Sequence, residues 1–600
     1  MKPFLFSFST FCIINVTSTS SNMIQEDAAN EEIFQEKLNE GRQLLGNEPD
    51  AENTKILIQK LHNMKAVIDD ELKLTPQQSE ELEEKMKDYV QVQKDHINEM
   101  GDSIDEINHH SHTDVALYQG DMILSKLQAD EIIEEIEATK ENRTRRQAVN
   151  ADLYRNSKWP NNQVYYSFDP SASPAAKRVF EKAVKKWEEV TCLRFFHSDT
   201  ENDRIVVISD GGCWSYVGHS GGQQKLSLGP GCESVGTAAH ELAHALGFYH
   251  MQSRSDRDNY ITLQSQNFAA SHFKLNRLAD VVIKYIDYRV TGKLNLQSKM
   301  RKLIITTAYR TITEVLCIMD QQEVKRSVYV SRNGLPVMVT KDLDYMQTLG
   351  SPFISFYETL MMNKHYGCNQ CSHISKTYCA NDGFPNPNNC NRCICPSGYG
   401  GLLCDRKPGN CGGELKAEYG VKQLIDIVGD KNTYRTTEDF RMCYYWIKAP
   451  PGQKIQVRLD GYESGVSTDG CRHTGVEIKT GKDKRHTGYR FCSPDNIGKT
   501  LTSFYHIVPV VTYSDGWEVK TILSYWIASS DTRNSGRQLK TTTTNSRNGT
   551  ITARPPPPTK TRCEDSPICK ALLRSTPCKV NKNQTVKEKL CPRSCGMCRP

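Results

Sequence analysis

The residues best suited to chemistry lie in "HELAHALGFYHMQSRSDRD", His240 to Asp258. His240 and His244 are four positions apart, so on a helix their imidazoles share one face and can share a metal ion. Glu241, beside them, can act as a base on a water held at that ion. His250 follows His240 by ten positions, about 280° round an ideal helix at roughly 100° per residue. It joins the other two only if the helix stops. Gly247 is where it can stop, because glycine accepts the left-handed conformation that ends helices. Three neutral imidazoles with one open position make a catalytic rather than a structural zinc site. A bare HExxH occurs by chance in long chains, whereas the longer HExxHxxGxxH pattern is far more specific.

Such a site needs a scaffold, and from Gln147 the chain reads as a compact α/β domain. "AAKRVFEKAVKKWEEVTC" is an amphipathic helix and "DRIVVISD" a strand. Residues 21–146 hold many Glu, Lys and Gln at helical spacing, as in "SEELEEKMKDYVQVQ", and read as a partly helical, loosely packed pro-segment. It ends in "RTRR", Arg143 to Arg146, a run that subtilisin-like processing proteases of the secretory pathway cut on its C-terminal side, between Arg146 and Gln147. At the start, Lys2, the apolar "PFLFSFSTFCIINV" and the small polar "TSTSS" read as a signal peptide over residues 1–20, with which Cys12 would leave. Residues 529–562, rich in Ser, Thr and Arg and carrying "PPPP", read as a linker. There is no internal repeat.

Six hundred residues suggest three to five domains. A formal net charge of +5 is close to balanced and argues for neither a nucleic-acid nor a membrane partner, and no apolar run is long enough to span a bilayer. The 22 cysteines cluster after Cys192, which points to disulfides, an oxidising compartment and a secreted, extracellular protein. Asn142, Asn548 and Asn583 fit the N-x-S/T pattern for glycan attachment, and Asn142 adjoins the processing site.

"HELAHALGFYHMQSRSDRDNY", with "GGCWSYVGHSGGQQKLSLGPGCESVGT" upstream, closely resembles the astacin zinc endopeptidases. The match extends over most of Gln147 to Cys368, from "WPNNQVYYSF" through "KWEEVTCLRF" to "TLGSPFISFYETLMMNKHYGC". The resemblance implies zinc on His240, His244 and His250, catalysis by Glu241, and disulfides Cys192–Cys368 and Cys213–Cys232. "LYQGDMIL" resembles the F-x-G-D motif of the family's pro-segments, which makes Asp121 the zinc ligand of the latent form. Astacins usually carry Glu after the third histidine, where it helps anchor the new N-terminus. Met251 stands there, so Gln147 must be held differently or less firmly.

Three modules are expected behind the protease. Residues 369–405 have the six-cysteine spacing of an EGF-like module, whose family pairing is Cys371–Cys390, Cys379–Cys393 and Cys395–Cys404. Residues 411–523, opened by "CGGEL", resemble a CUB β-sandwich, implying Cys411–Cys443 and Cys471–Cys492. Residues 563–598, with "CPRSCGMC", resemble an ShK module, implying Cys563–Cys598, Cys569–Cys591 and Cys578–Cys595. A fold below about 40 residues relies on such disulfides because its core is too small. The order resembles a nematode astacin. These ten pairs leave Cys12 and Cys317 over.

Cys317 marks an anomaly. Astacins need a Met-turn, S-x-M-H-Y, below the metal, and no in-frame match lies between the zinc helix and "SRNGLPVMVTKD". Yet "EVLCIMD", Glu314 to Asp320, can be written with the chosen codons GAA GTG TTA TGC ATT ATG GAC, which read from the third base give S-V-M-H-Y-G. The expectation is that at least Tyr309 to Asp320 is translated out of frame, within a suspect interval of about 269–329. That interval should be poorly ordered, and none of Tyr285, Tyr288, Tyr309 and Tyr329 should approach the metal. Real divergence is the rival reading.

The fold class expected is therefore multidomain: a two-lobed α/β zincin catalytic domain (147–368), an EGF-like module, a β-sandwich CUB domain and a small helical ShK module. The expected function is a secreted zinc endopeptidase, made latent and holding one Zn2+, that cuts extracellular proteins. Matrix or cuticle proteins would be bound through the CUB and ShK modules. The alternative is a non-catalytic secreted binding protein that keeps the zinc signature without the Met-turn.

Overall fold

The structure, a computed structural model, describes residues 30–64, 73–130, 132–133, 158–251, 257–264, 267, 335–371, 377–433 and 435–529. Two helices open it, α1 (30–44) and α2 (Ala51–Asn63). Their apolar residues recur at helical spacing, and Phe34, Leu38, Leu57, Ile58 and Leu61 are all buried. They bury against one another, Phe34 stacking on the His62 ring at 3.8 Å, and against the sheet that follows. One cluster joins Phe34, Leu38, Leu45 and Ile58 to Ile208, Trp214 and Tyr216, and another joins Leu57, Leu61, Tyr118 and Met122 to Val217, Ile261 and Met338. The expectation of a loosely packed pro-segment is thus corrected for the described residues. The segment's own apolar residues, among them Phe34, Leu38, Ile58, Val115 and Leu117, pack together, and the sheet surface of Ile208, Trp214 and Tyr216 completes the cluster.

Two short helices follow, α3 (Pro76–Met86) and α4 (Ile104–His110), each opened by a capping box: Thr75 with Gln78, and Ser103 with Glu106. The catalytic region is a six-stranded sheet of β1 (Met122–Ile123), β2 (Gln163–Phe168), β3 (Arg194–His197), β4 (Arg204–Ile208), β5 (Cys213–Tyr216) and β6 (Gln223–Leu228), in the order β1-β5-β6-β4-β2-β3. Only β5 and β6 run antiparallel. β1 comes from the segment N-terminal to this region and lies parallel to β5, Met122 opposite Ser215 and Ile123 opposite Tyr216, so that segment covers the sheet edge. Helix α5 (Pro174–Val190) starts at Ser173, whose Oγ accepts from the Ala176 N–H, and buries Ala176, Val179, Phe180, Ala183 and Trp187 against the sheet and helix α6 (Val235–Ala245). Helix α7 (Phe356–His365) closes the region, tied by Cys192–Cys368, while Cys213–Cys232 ties β5 to the approach to α6. Strands β7 (Ile261–Leu263) and β8 (Met338–Thr340) pair antiparallel. Cys317, the four tyrosines and the expected disorder of about 269–329 lie outside the described residues.

Next comes a hairpin of β9 (Phe384–Asn386) and β10 (Asn389–Ile394), with Cys371–Cys390, Cys379–Cys393 and Cys395–Cys404. A β-sandwich follows. Its five-stranded sheet, in the order β11-β13-β18-β15-β16, holds β11 (Gly412–Lys416), β13 (Arg441–Lys448), β15 (Thr474–Ile478), β16 (Tyr489–Phe491) and β18 (Ile507–Ser514). The four-stranded sheet, β12-β19-β14-β17, holds β12 (Lys422–Val428), β14 (Ile455–Glu463), β17 (Thr500–Thr502) and β19 (Val519–Ile527). Alternating residues such as Ile455, Val457, Leu459, Val476, Ile478, Val508, Val510 and Leu523 fill the space between the sheets. Cys411–Cys443 and Cys471–Cys492 pin it. The expected end at 523 falls short: the buried alternation of Val519, Thr521, Leu523, Tyr525 and Ile527 carries β19 to Ile527. No described helix is long and apolar enough to cross a membrane.

Candidate metal centre

Helix α6 is buried almost all round, which fixes its rotation. Its start is capped by Ser234, whose Oγ accepts from the Thr237 N–H at 3.0 Å. On it, His240 and His244 bring their Nε2 atoms to 3.0 Å. The helix then stops as glycine allows. Gly247 has φ +99°, its N–H donates to the His244 carbonyl at 2.7 Å, and the Phe248 N–H donates to the Ala243 carbonyl at 3.1 Å. This turn sends the chain back so that His250 joins the other two. It also presents the Phe248 carbonyl to His244 Nδ1 at 2.6 Å. A carbonyl only accepts, so His244 Nδ1 carries the proton and its Nε2 offers a bare lone pair to the cluster.

The fourth group is Asp121, 119 positions before His240. Its Oδ2 lies 3.1 Å from His240 Nε2, 3.6 Å from His244 Nε2 and 3.0 Å from His250 Nε2. It reaches them from a tight loop in which Gln119 and Gly120 both have positive φ, and the Asp121 carbonyl accepts from the Ser215 N–H at 3.0 Å. Asn108, buried on α4, holds this loop: its Nδ2 donates to the Gly120 carbonyl at 2.9 Å and the Cys213 carbonyl at 2.7 Å, and its Oδ1 accepts from the Cys213 N–H at 2.6 Å.

All four groups are buried. Burial pushes the His240 imidazole down to about 3, with the crowding of His244 adding to it, so the ring is neutral and able to ligate. Burial alone would raise the Asp121 carboxyl. His250, His244 and the hydrogen bond from His240 outweigh it and hold Asp121 well below the usual carboxylate range. Three imidazole nitrogens and one carboxylate oxygen are a tetrahedral zinc donor set, whose atoms at bond lengths of about 2.0–2.1 Å stand roughly 3.3 Å apart. The His240–His244 separation and the three from Asp121 to the histidines, 3.0 to 3.6 Å, bracket that value, and all four ligand atoms lie within 4.8 Å of one another. The residues fit zinc.

Glu241 is fully buried on the same helix, next to His240. Met251 is buried in an apolar cluster with Leu246 and Phe248, so packing rather than a charge fills that position. Arg146, Gln147, the glycan sites Asn142, Asn548 and Asn583, and the six cysteines from Cys563 to Cys598 lie outside the described residues. Sequence reasoning missed Asn108 and the Phe248 carbonyl. The Ser103-x-x-Glu106 capping box marks the helix that carries Asn108, but nothing in the sequence marks Asn108 itself.

The family model of the Astacin peptidases matches residues 152–280. The chain is 38% identical over 453 residues to zinc metalloproteinase nas-31 of Caenorhabditis elegans, an alignment covering 75% of this chain and 68% of that protein. To zinc metalloproteinase nas-32 of the same nematode it is 32% identical over 465 residues, covering 76% of this chain and 64% of that protein. Among solved structures, it is similar to high choriolytic enzyme 1, a hatching enzyme zinc-protease from the medaka Oryzias latipes. That likeness has 26% identity over 35% of this chain and 92% of the other, with a TM-score of 0.26. With a buried site of three histidines built for zinc and this degree of identity to nematode zinc metalloproteinases, the chain belongs to the astacin family of zinc metalloendopeptidases.

Proposed function

We propose that the protein is a secreted zinc endopeptidase, made as a latent proenzyme, that cuts peptide bonds in extracellular proteins. The observation that carries this reading is the meeting of Asp121, from the pro-segment, with His240, His244 and His250 in one buried cluster. We read residues 21–146 as the pro-segment, 147–368 as the protease, 369–405 as an EGF-like module and the sandwich as a CUB domain. Residues 563–598 are read as an ShK module. Seven disulfides in the described residues support an oxidising, extracellular setting.

Zinc, when bound, supplies a Lewis acid that polarises the scissile carbonyl and makes a water acidic near neutral pH. His240, His244 and His250 would hold it. Glu241 takes the proton of the attacking water and returns it to the leaving amine. Asp121 occupies the remaining position until cleavage between Arg146 and Gln147 lets the pro-segment leave. The edge of β5, which β1 covers in the latent form, is then free to pair with an extended peptide substrate.

Glu241→Gln should lower kcat/KM of the activated enzyme on a peptide by at least about 10²-fold while leaving one zinc per chain by metal analysis. Undiminished cleavage by this variant would sink the mechanism. A wild type that binds zinc, is fully processed and still cuts nothing would favour the non-catalytic binding protein.

A further inference from the structure

We propose that the β-sandwich is a second anchor for the pro-segment, gripping residues 88–102 in the loop from Val466 to His473, so that latency is held by two domains and not by Asp121 alone. This rests on the latent-proenzyme reading above. The stretch "DYVQVQKDHINEMGD", between α3 and α4, forms no helix or strand. The sandwich supplies partners to Gln93, Lys94, Asp95 and Asp102. The Asp95 N–H donates to the Ser467 carbonyl at 2.8 Å, and the Ser467 N–H donates back to Asp95 Oδ2 at 3.1 Å, both residues being buried. The Gln93 N–H donates to Asp495 Oδ2 at 2.8 Å, and Lys94 pairs with Asp469, their side chains only 20% and 17% exposed.

The grip reaches the metal helix. Asp102 folds the segment back by accepting from the N–H groups of Ile97 at 3.0 Å and Asn98 at 2.9 Å. Its main-chain carbonyl accepts from Arg472 Nη1, while Arg472 Nη2 donates to Thr237 Oγ1, in the first turn of α6, at 3.1 Å. Buried Arg472 therefore ties the pro-segment, the sandwich and the zinc helix together. The loop has little room to swing: a Cβ on Gly470 would overlap the Gly350 carbonyl oxygen of the protease. From Asp102 the restraint passes through α4 to Asn108, and so to the loop that carries Asp121. Cutting the chain after Arg146 leaves every one of these contacts in place. The pro-segment should accordingly stay bound after cleavage, and its departure, not the cut, sets the onset of activity.

The test uses the full-length secreted chain, cut after Arg146 by a processing protease, with pro-segment release followed by size exclusion and activity by peptide hydrolysis. Asp469→Lys and Lys94→Asp should each speed release and the onset of activity by about tenfold or more, because breaking a largely buried charge pair acts on the off-rate. Combining the two restores the pair and should slow release again. Fully stripped Asp469→Lys enzyme should keep wild-type kcat/KM. If Asp469→Lys is not secreted, Lys94→Ala, a change confined to the pro-segment, is read in its place. Release at the wild-type rate in the single variants overturns the proposal. An uncut wild type that already hydrolyses peptide overturns the latent-proenzyme reading instead, and the two results are distinct.

Discussion

Asp121 and the three histidines have no stable arrangement without a shared cation or proton. His244 is fixed by the Phe248 carbonyl in the tautomer that points its lone pair inward, and His240 is kept neutral by burial. A carboxylate in the remaining position neutralises part of a cation's charge and blocks water from it. Asp121→Ala should therefore raise peptide cleavage by the uncut proenzyme at least about tenfold, the equivalent of losing one charge-assisted contact of about 1.5–3 kcal/mol. Full silence of the uncut variant would assign latency to steric blockage by α1, α2 and β1 rather than to the aspartate.

Among the elements, the end of α6 governs the site. One glycine turn stops the helix, aims His250 and delivers the carbonyl that orients His244. Gly247 sits at φ +99°, where a side chain is strained, and a Cβ there would meet His365 Nε2 at 3.2 Å. Gly247→Ala should cost about 1–2 kcal/mol of stability and weaken zinc binding, read as a lower Tm and a higher Kd in a chelator competition. Unchanged zinc affinity would mean that the turn does not position the histidines. The loop carrying Asp121 depends in the same way on α4. Asn108→Ala leaves the buried Gly120 and Cys213 carbonyls and the Cys213 N–H without that side chain, a loss of about 1–3 kcal/mol. It should speed pro-segment release after cleavage without altering the stripped enzyme, and equal release rates would remove Asn108 from the latch.

At the scale of the molecule, buried histidines away from the metal make stability fall in acid. Burial, with Lys158 adding to it, lowers His365 to about 4, and burial likewise lowers His486 in the sandwich to about 4 despite the opposing charge of Asp483. Both are near 6.5 when unfolded, so between about pH 6.5 and 4 the unfolded chain binds more protons and stability drops as pH falls. Each group contributes up to about 3 kcal/mol across that window. Tm should be flat above about pH 7 and decline below it, and His365→Leu should flatten the protease's share of the decline. An identical pH profile in that variant would remove His365 from the cause. Protease activity should also vanish with a zinc chelator and return when zinc is added, as the family's chemistry requires.

Short-range patterns were legible from the residues alone. The spacing of His240, His244, Gly247 and His250 defines the zinc face and the break that completes it, because helix geometry converts sequence distance directly into position. The resemblance carried by Cys411, Cys443, Cys471, Cys492 and "CGGEL" anticipated the disulfide-bonded β-sandwich. The error over the packing of residues 30–130 has the same root: their polar composition was visible, but the long-range clusters that bury Phe34, Leu38 and Leu57 were not. Tertiary structure decided what bridges long separations. It brings Asp121 to histidines 119 or more positions away, and it joins Arg472 to Asp102 across 370 positions, so that the sandwich far down the chain touches both the N-terminal segment and the metal helix. No local rule encodes such contacts, because each depends on how every intervening domain packs.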